Sequence, residues 1–198
     1  MSVLLRPAGE DDLAGIGDLH YRSRGAAYAG IVSPAALTFG SPAALGEWWA
    51  ERWKWEQETH RLTVAVDGGR LAGFTYLGPS EEDGIAELSA IHADPAYVGR
   101  GVGRAMMIDA LEALARYGDR AVLWVLADNA RARRFYERGG WVADGQSRVE
   151  PIGDEPVTQL RYAISLSLAQ RSTSRSSTSS TGPSAAGTAA WSRSTPLA

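Results

Sequence analysis

The 198-residue chain contains no cysteine. That absence excludes a disulfide scaffold, a thiolate zinc site, a cysteine-held iron–sulfur centre and a thiol nucleophile. It suits a reducing compartment, and a cytoplasmic location is expected. No apolar run approaches the ~18 residues of a membrane-spanning helix. The opening "MSVLLRPAGEDDL" does not read as a signal peptide, because its apolar run is only Val3 to Leu5 and acids follow. Positive charge is not in excess either: 20 basic side chains against 23 acidic ones give a formal net charge of −3. Such a balance supplies no field for nucleic acid. The three histidines, His20, His60 and His92, lack metal-ligand spacing. The expectation is therefore no metal, no nucleic acid and no membrane. What is present is a hydrophobic content of 44%, enough for the core of one domain.

From Arg171 onward the chain reads "RSTSRSSTSSTGPSAAGTAAWSRSTPLA". Trp191 is its only aromatic residue, and such a composition cannot bury enough apolar surface to offset its ordering entropy. Residues 171–198 are expected to be a disordered Ser/Thr/Ala/Gly-rich tail, and residues 1–170 a single domain. With three arginines and no acids the tail reads as a basic docking arm or as an extension without a role.

Within the domain, "VLLRPA" reads as a strand ended by Pro7. The acids Glu10 to Asp12 suit the positive end of a helix whose Leu13, Ile16, Leu19 and His20 share one face. Ser41 and Pro42 open another helix as cap and first turn. Its Leu45, Trp48, Trp49, Trp53 and Trp55 fall in one broad arc, a core face or an aromatic wall for a substrate. "RLTVAVDGGRLAGFTYLG" predicts a hairpin turning at Asp67-Gly68-Gly69. "GIAELSAIHADP" predicts a strand closed by Pro95, and a helix over 102–117 follows, with Ala105, Met106, Ile108 and Leu114 available to the core. "RAVLWVLA" is a further strand, "DNARARRFYERGG" a helix between an Asp128 or Asn129 cap and a Gly139 stop, and two strands close the domain. The order β-α-α-β-β-β-α-β-α-β-β implies a mixed α/β sheet with a right-handed crossover.

Gly99, Gly101 and Gly103 alternate at the mouth of the predicted helix, with Arg100 and Arg104 among them. A helix start offers unpaired N–H groups and partial positive charge, and glycine lets backbone approach a ligand closely, so phosphate is the natural ligand. Arg100 and Arg104 could add charge-assisted bonds. The Lys-Ser/Thr pair of a P-loop is missing, and the G-x-G-x-x-G dinucleotide pattern fails at its last glycine. A purely structural strand–helix turn stays open at this point.

The run "AELSAIHADPAYVGRGVGRAMMIDALEALA", followed by "VLWVLADNARARRFYERGGWVADG", resembles the GNAT superfamily of N-acetyltransferases. The family loop reads Gln/Arg-x-x-Gly-x-Gly/Ala. Here Val98 takes its first position, a departure that removes a hydrogen-bonding side chain and leaves a backbone N–H. "NARARRFYERGGW" is similar to the family's N-x-x-A-x-x-F-Y-E-x-x-G-F, and "RSRGAAYAGIVSPAAL" to the acceptor-side helical region of bacterial members. The resemblance covers about residues 3 to 168.

It implies a single mixed, mostly antiparallel twisted α/β sheet with flanking helices and a central, splayed parallel strand pair. It implies acetyl-CoA as donor, with the pyrophosphate on the loop of Val98, Gly99, Arg100, Gly101, Val102, Gly103 and Arg104. The pantetheine arm would pair with backbone at Ile91, His92 and Ala93 like an added strand. Asn129 would reach the pantetheine or cap its helix. Tyr136 would give a proton to the CoA sulfur, or serve as a core aromatic. Glu87 would be the general base and touch the acceptor, its pKa raised by burial, or else be a strand-end surface carboxylate. Ser89 shares its face and could relay. Strict alternation puts His92 on the face opposite Glu87, where packing is its expected role. Tyr28 is a candidate acceptor-site residue. With no cysteine to carry an acyl group, direct attack by the amine in a ternary complex is the expected route. The acceptor is expected to be a small primary amine. The alternatives are a peptide or protein N-terminus or lysine, and a non-catalytic acyl-CoA sensor. A homodimer is an admissible assembly.

Overall fold

Asp67-Gly68-Gly69 turns the chain as its composition requires, and the two strands it joins anchor the sheet. The computed structural model describes residues 3–38 and 40–166, so the expected tail over 171–198 and the boundary at 170 lie outside the described residues. In chain order the elements are β1 (Leu4–Pro7), a 3-10 turn (Glu10–Asp12), α1 (Leu13–Tyr28), α2 (Pro34–Leu37), α3 (Pro42–Glu56), β2 (Arg61–Asp67), β3 (Arg70–Pro79) and β4 (Ile85–Ala93). A second 3-10 turn (Pro95–Tyr97), α4 (Val102–Leu114), β5 (Arg120–Leu126), α5 (Ala130–Arg138), β6 (Val142–Ile152) and β7 (Glu155–Ser165) follow. Ser41 caps α3 by accepting from the Ala44 N–H at 3.1 Å, with Pro42 behind it in the first turn.

The strands form one seven-stranded sheet in the order β1-β2-β3-β4-β5-β7-β6. Every neighbouring pair is antiparallel except β4 and β5. This is the mixed sheet with one central parallel pair that was expected. Helices cover both faces. Against α4 and α5 the sheet packs Ala86, Leu88, Leu123, Val125 and Tyr162 around Met107, Leu114 and Tyr136. Against α1 and α3 it packs Leu62, Val64, Phe74, Tyr76 and Ala90 around Ile16, Leu19 and Trp49.

Four local expectations change. The short helix α2 is an addition to the expected element order, capped by Ser33 through the Ala36 N–H at 3.2 Å. Helix α4 ends at Leu114, three residues before Tyr117. Ile108 is 52% exposed and Trp55 67% exposed, so neither belongs to the core. Both sit at the margin of a helical arc, where periodicity cannot say how far the neighbouring surface extends. Trp55 instead donates from Nε1 to Glu51 at 2.7 Å on the helix surface.

Candidate active site

Strand β4 hydrogen-bonds to β3 along its whole length, but to β5 only through Ile85↔Arg120, Ala86↔Ala121 and Glu87↔Val122. Beyond Glu87 each strand follows its other neighbour, since β5 stays paired with β7 as far as Leu126↔Gln159. The parting coincides with a bulge. Tyr76 pairs with Ala90 and Leu77 with Leu88, which leaves Ser89 as an extra residue in β4. A bulge bends its strand and raises the local twist, and so turns β4 away from β5. The backbone edge of β4 that faced β5 is therefore open from Leu88 to Ala93.

The open edge runs toward the start of α4. Gly99 and Gly101 adopt φ of +80° and +88°, values that side chains other than glycine resist. A Cβ placed at either would meet nothing within 4 Å, so the outer side of the turn is open. Gly101 caps α4, and the first N–H groups of the helix have no carbonyl a turn earlier to bond. Arg100 and Arg104 are exposed beside them, and Val98 is 37% exposed. Val102 turns its side chain into the core, leaving only its backbone to the loop. Gly103 has Phe135 at 3.6 Å from the place of a Cβ, an ordinary contact. The loop thus has the form that binds phosphate.

Two tyrosines approach the gap from opposite faces of the sheet. Tyr136 on α5 belongs to the core on the α4 side, and Tyr28 at the end of α1 packs with Leu126 on the other. Burial raises the pKa of both, and the Tyr136 phenol raises that of Tyr28 further. Both hydroxyls stay protonated at neutral pH. Among the described residues the Tyr136 hydroxyl makes no hydrogen bond, and its ring is 7% exposed. Asn129 caps α5: its Oδ1 accepts from the Ala132 N–H at 3.0 Å.

Glu87 is half-buried at the vertex of the splay and faces the α1–α3 side. The expectation for His92 is corrected. The extra residue Ser89 shifts the alternation, so His92 comes to the same side of the sheet as Glu87 and packs on α1. Its ring stacks on Phe74 at 5.2 Å and lies 4.4 Å from the His20 ring, with Nδ1 hydrogen-bonded to Ser23 Oγ at 2.5 Å. Burial, with the charges of His20 and Arg24, holds His92 well below the ordinary histidine pKa. Ile91 and Ala93 turn toward α4.

On the α1–α3 side, a cavity of about 260 Å³ opens beside Glu87 and Ser89. Trp124, Arg148, Gln159 and Arg161 form one wall, and Arg52 and His60 form another. The second wall is held by Glu56, which accepts from Arg52 Nε at 2.7 Å and from the Tyr76 hydroxyl. Among the described residues no group of three or more His, Asp or Glu side chains is placed to hold a metal ion, and no helix is long and apolar enough to cross a membrane.

Residues 35–141 match the model of the acetyltransferase (GNAT) family. The chain belongs to this family. A mycothiol acetyltransferase of Kineococcus radiotolerans is 37% identical over 120 residues, which are 57% of this chain and 38% of that protein. A Mycobacterium tuberculosis protein named "Probable N-acetyltransferase" is 28% identical over 174 residues, 82% of this chain and 94% of its own. The crystal structure of the PaiA N-acetyltransferase of Thermoplasma acidophilum in complex with coenzyme A superposes with a TM-score of 0.65 at 20% identity, covering 81% of this chain and 98% of that one. This GNAT chain spans less than half the length of several curated relatives it matches.

The matched segment of this GNAT chain holds Glu87, the glycine loop and Tyr136, and stops before β6 and β7. Arg148, Gln159 and Arg161 lie beyond it, and sequence reasoning missed all three, with Arg52 and Trp124. One signal was available: Arg148 and Glu150 are two residues apart in a strand and so share a face.

Proposed function

We propose that this chain is a cytoplasmic N-acetyltransferase that moves an acetyl group from acetyl-CoA to a primary amine of a small molecule, by direct attack in a ternary complex. The observation that carries the reading is the parting of β4 from β5 at Glu87, with the open edge leading to the glycine-capped start of α4. An extended arm can add to such an edge as a strand would, and a pyrophosphate can sit on such a helix start. The open space beside Gly99 and Gly101 fits this occupant, and the coenzyme A of the Thermoplasma protein supports it.

Acetyl-CoA supplies an acyl carbon activated as a thioester. Glu87, at the vertex of the splay, takes the proton of the acceptor amine, directly or through a water. The amine nitrogen bonds to the acyl carbon, and the C–S bond breaks with its electron pair going to sulfur. Tyr136 supplies the proton that makes the thiol and regains one from solvent. Burial keeps the phenol protonated throughout the physiological range, so the proton is present to be given, while the same upward shift makes the phenol a weaker acid. Tyr28 shares the gap as a second donor toward the reacting carbonyl. The cavity of about 260 Å³ lies just below the ~300–1,000 Å³ typical of ligand pockets, which favours a small acceptor over a folded protein. Calorimetry with CoA, followed by thiol release from acetyl-CoA across a panel of amines, tests the reading. Binding of CoA and release of thiol are expected. Binding without release from any amine would make the chain a sensor.

A further inference from the structure

Three arginines border the cavity beside Glu87, and two of them are engaged. Arg161 bonds Asp144 from Nε at 2.8 Å and also pairs with Glu82. Arg52 bonds Glu56 at 2.7 Å. Arg148 is different: among the described residues it has no carboxylate within ion-pair distance. Its Nε donates to Gln159 Oε1 at 2.6 Å, and Gln159 is itself buried. Its guanidinium carbon lies 4.2 Å from the centroid of the Trp124 ring. An indole on one face and a buried amide on Nε fix the orientation of the group. The two terminal amino groups make no hydrogen bond among the described residues, and they border the cavity. A guanidinium held in place with its fork unused is a receptor for a planar oxyanion.

The surroundings narrow the class of ligand. Burial lowers the pKa of Arg148, while Glu87, Glu150 and Glu81 act against that effect through their charge. They are near enough to be felt by Arg148 and form no ion pair with it. They would repel an anion that carried nothing else, but an anion joined to an ammonium group meets attraction at both ends. Glu150 stands two residues from Arg148 on the same strand face, and Glu87 stands at the splay where the acetyl group is to be received.

We infer that the acceptor is an amine that also carries a carboxylate, with the carboxylate on the terminal amino groups of Arg148 and the amine directed to Glu87. The inference names the substrate class of the proposed acetyltransferase and rests on that reading. Arg148 is a binding residue in it, and its effect belongs in KM more than in kcat.

The test uses the full chain, acetyl-CoA, a set of L-amino acids, their C-terminal amides and monoamines of matching side chain. Thiol release gives kcat and KM, and calorimetry gives the affinity for CoA. One or more acids should be acetylated with a KM roughly tenfold or more below that of the matching amide, the scale of one charge-assisted pair. Arg148→Gln should collapse that ratio through the KM of the acid, and Arg148→Lys should restore part of it, with CoA affinity reporting that both variants are folded. Amides or monoamines used as readily as acids by the wild-type protein would overturn the inference and leave acetyl transfer standing. So would an unchanged acid-to-amide ratio in Arg148→Gln, or the failure of every acid to be bound or acetylated by a protein that binds CoA. Failure to bind CoA at all would overturn the acetyltransferase reading and the inference with it.

Discussion

Gly17 on α1 and Gly46 on α3 meet where the two helices cross, and substituting alanine for each should have unequal consequences. A Cβ on Gly17 would lie 2.2 Å from the Gly46 nitrogen and 2.5 Å from its Cα. Real Cβ contacts essentially never fall below 3.0 Å, and backbone atoms cannot rotate away, so the helices must part. A Cβ on Gly46 would lie 3.2 Å from the Ala14 Cα, a misfit of a few tenths of an ångström. Overpacking of a core costs ~1–3 kcal/mol. Replacing glycine by alanine inside a helix returns about 1 kcal/mol. A backbone clash belongs at or beyond the upper end of the first range, so Gly17→Ala should lose about 2 kcal/mol. Gly46→Ala should stay within about 0.5 kcal/mol of the wild type, because a small misfit and the gain in propensity nearly cancel. For a domain of this size the first loss lowers Tm by roughly 4–8 °C.

Urea unfolding of the three proteins at 25 °C measures both quantities. A Gly17→Ala protein as stable as the wild type would refute the argument, as would a larger loss from Gly46→Ala than from Gly17→Ala. The crossing also bears on function. Arg52 lines the cavity from α3, whereas the glycine loop belongs to α4. Gly17→Ala should therefore raise KM for the acceptor and leave CoA affinity nearly unchanged.

Tyr136→Phe should keep stability and CoA affinity, since the hydroxyl makes no bond among the described residues, and should lower kcat by about 10²-fold, the scale of general acid catalysis. Near-normal turnover in an assay limited by chemistry would make Tyr136 a core aromatic only. Gly101→Ala should weaken CoA at least roughly tenfold in calorimetry, because its φ of +88° costs a side chain about 1–2 kcal/mol and forces the loop to change. Unaltered affinity would remove the loop from the binding site. Stability should fall as pH drops below about 6.5: unfolded His92 then takes up a proton that the buried ring, its pKa depressed, refuses. Above that pH both states are neutral and the histidine contributes no slope. The loss should approach about 1.4 kcal/mol per pH unit between pH 6.5 and the folded pKa, and His92→Gln should flatten it in urea titrations at pH 7.5, 6.5 and 5.5. The same slope in the variant would assign it to other groups.

Features written in adjacent residues were legible. Ser41 with Pro42, Asp67-Gly68-Gly69 and Asn129 each declare an element boundary through their own backbone chemistry, and the structure sets a cap, a turn and a cap there. The glycine loop was legible for the same reason. The bulge at Ser89 was not, because it exists only in the register of β4 against β3. Missing it, alternation put His92 on the wrong face. The cavity wall was not legible either. Arg148 and Gln159 come together only because β6 and β7 pair, and each by itself reads as a polar residue of a strand near the end of a sheet.

The extra residue in β4 serves both layers of the protein. Before it, Ala86 and Leu88 face the α4 core while Glu87 faces the cavity. After it, Ile91 and Ala93 face α4 and His92 faces α1. Were Ser89 paired in regular register instead of bulged, the alternation would run on unbroken, and the His92 ring would point toward Met106 while Ile91 pointed toward α1. A buried imidazole bonded to Ser23 would then lose its partner on the side where partners exist. The register therefore protects the packing of both faces, and a strand that must hold this register cannot also stay flat against β5. On this argument the gap between β4 and β5 is not a defect tolerated for the sake of a ligand. It follows from how β4 satisfies its own side chains, and a ligand with a free edge of hydrogen-bonding groups can use it.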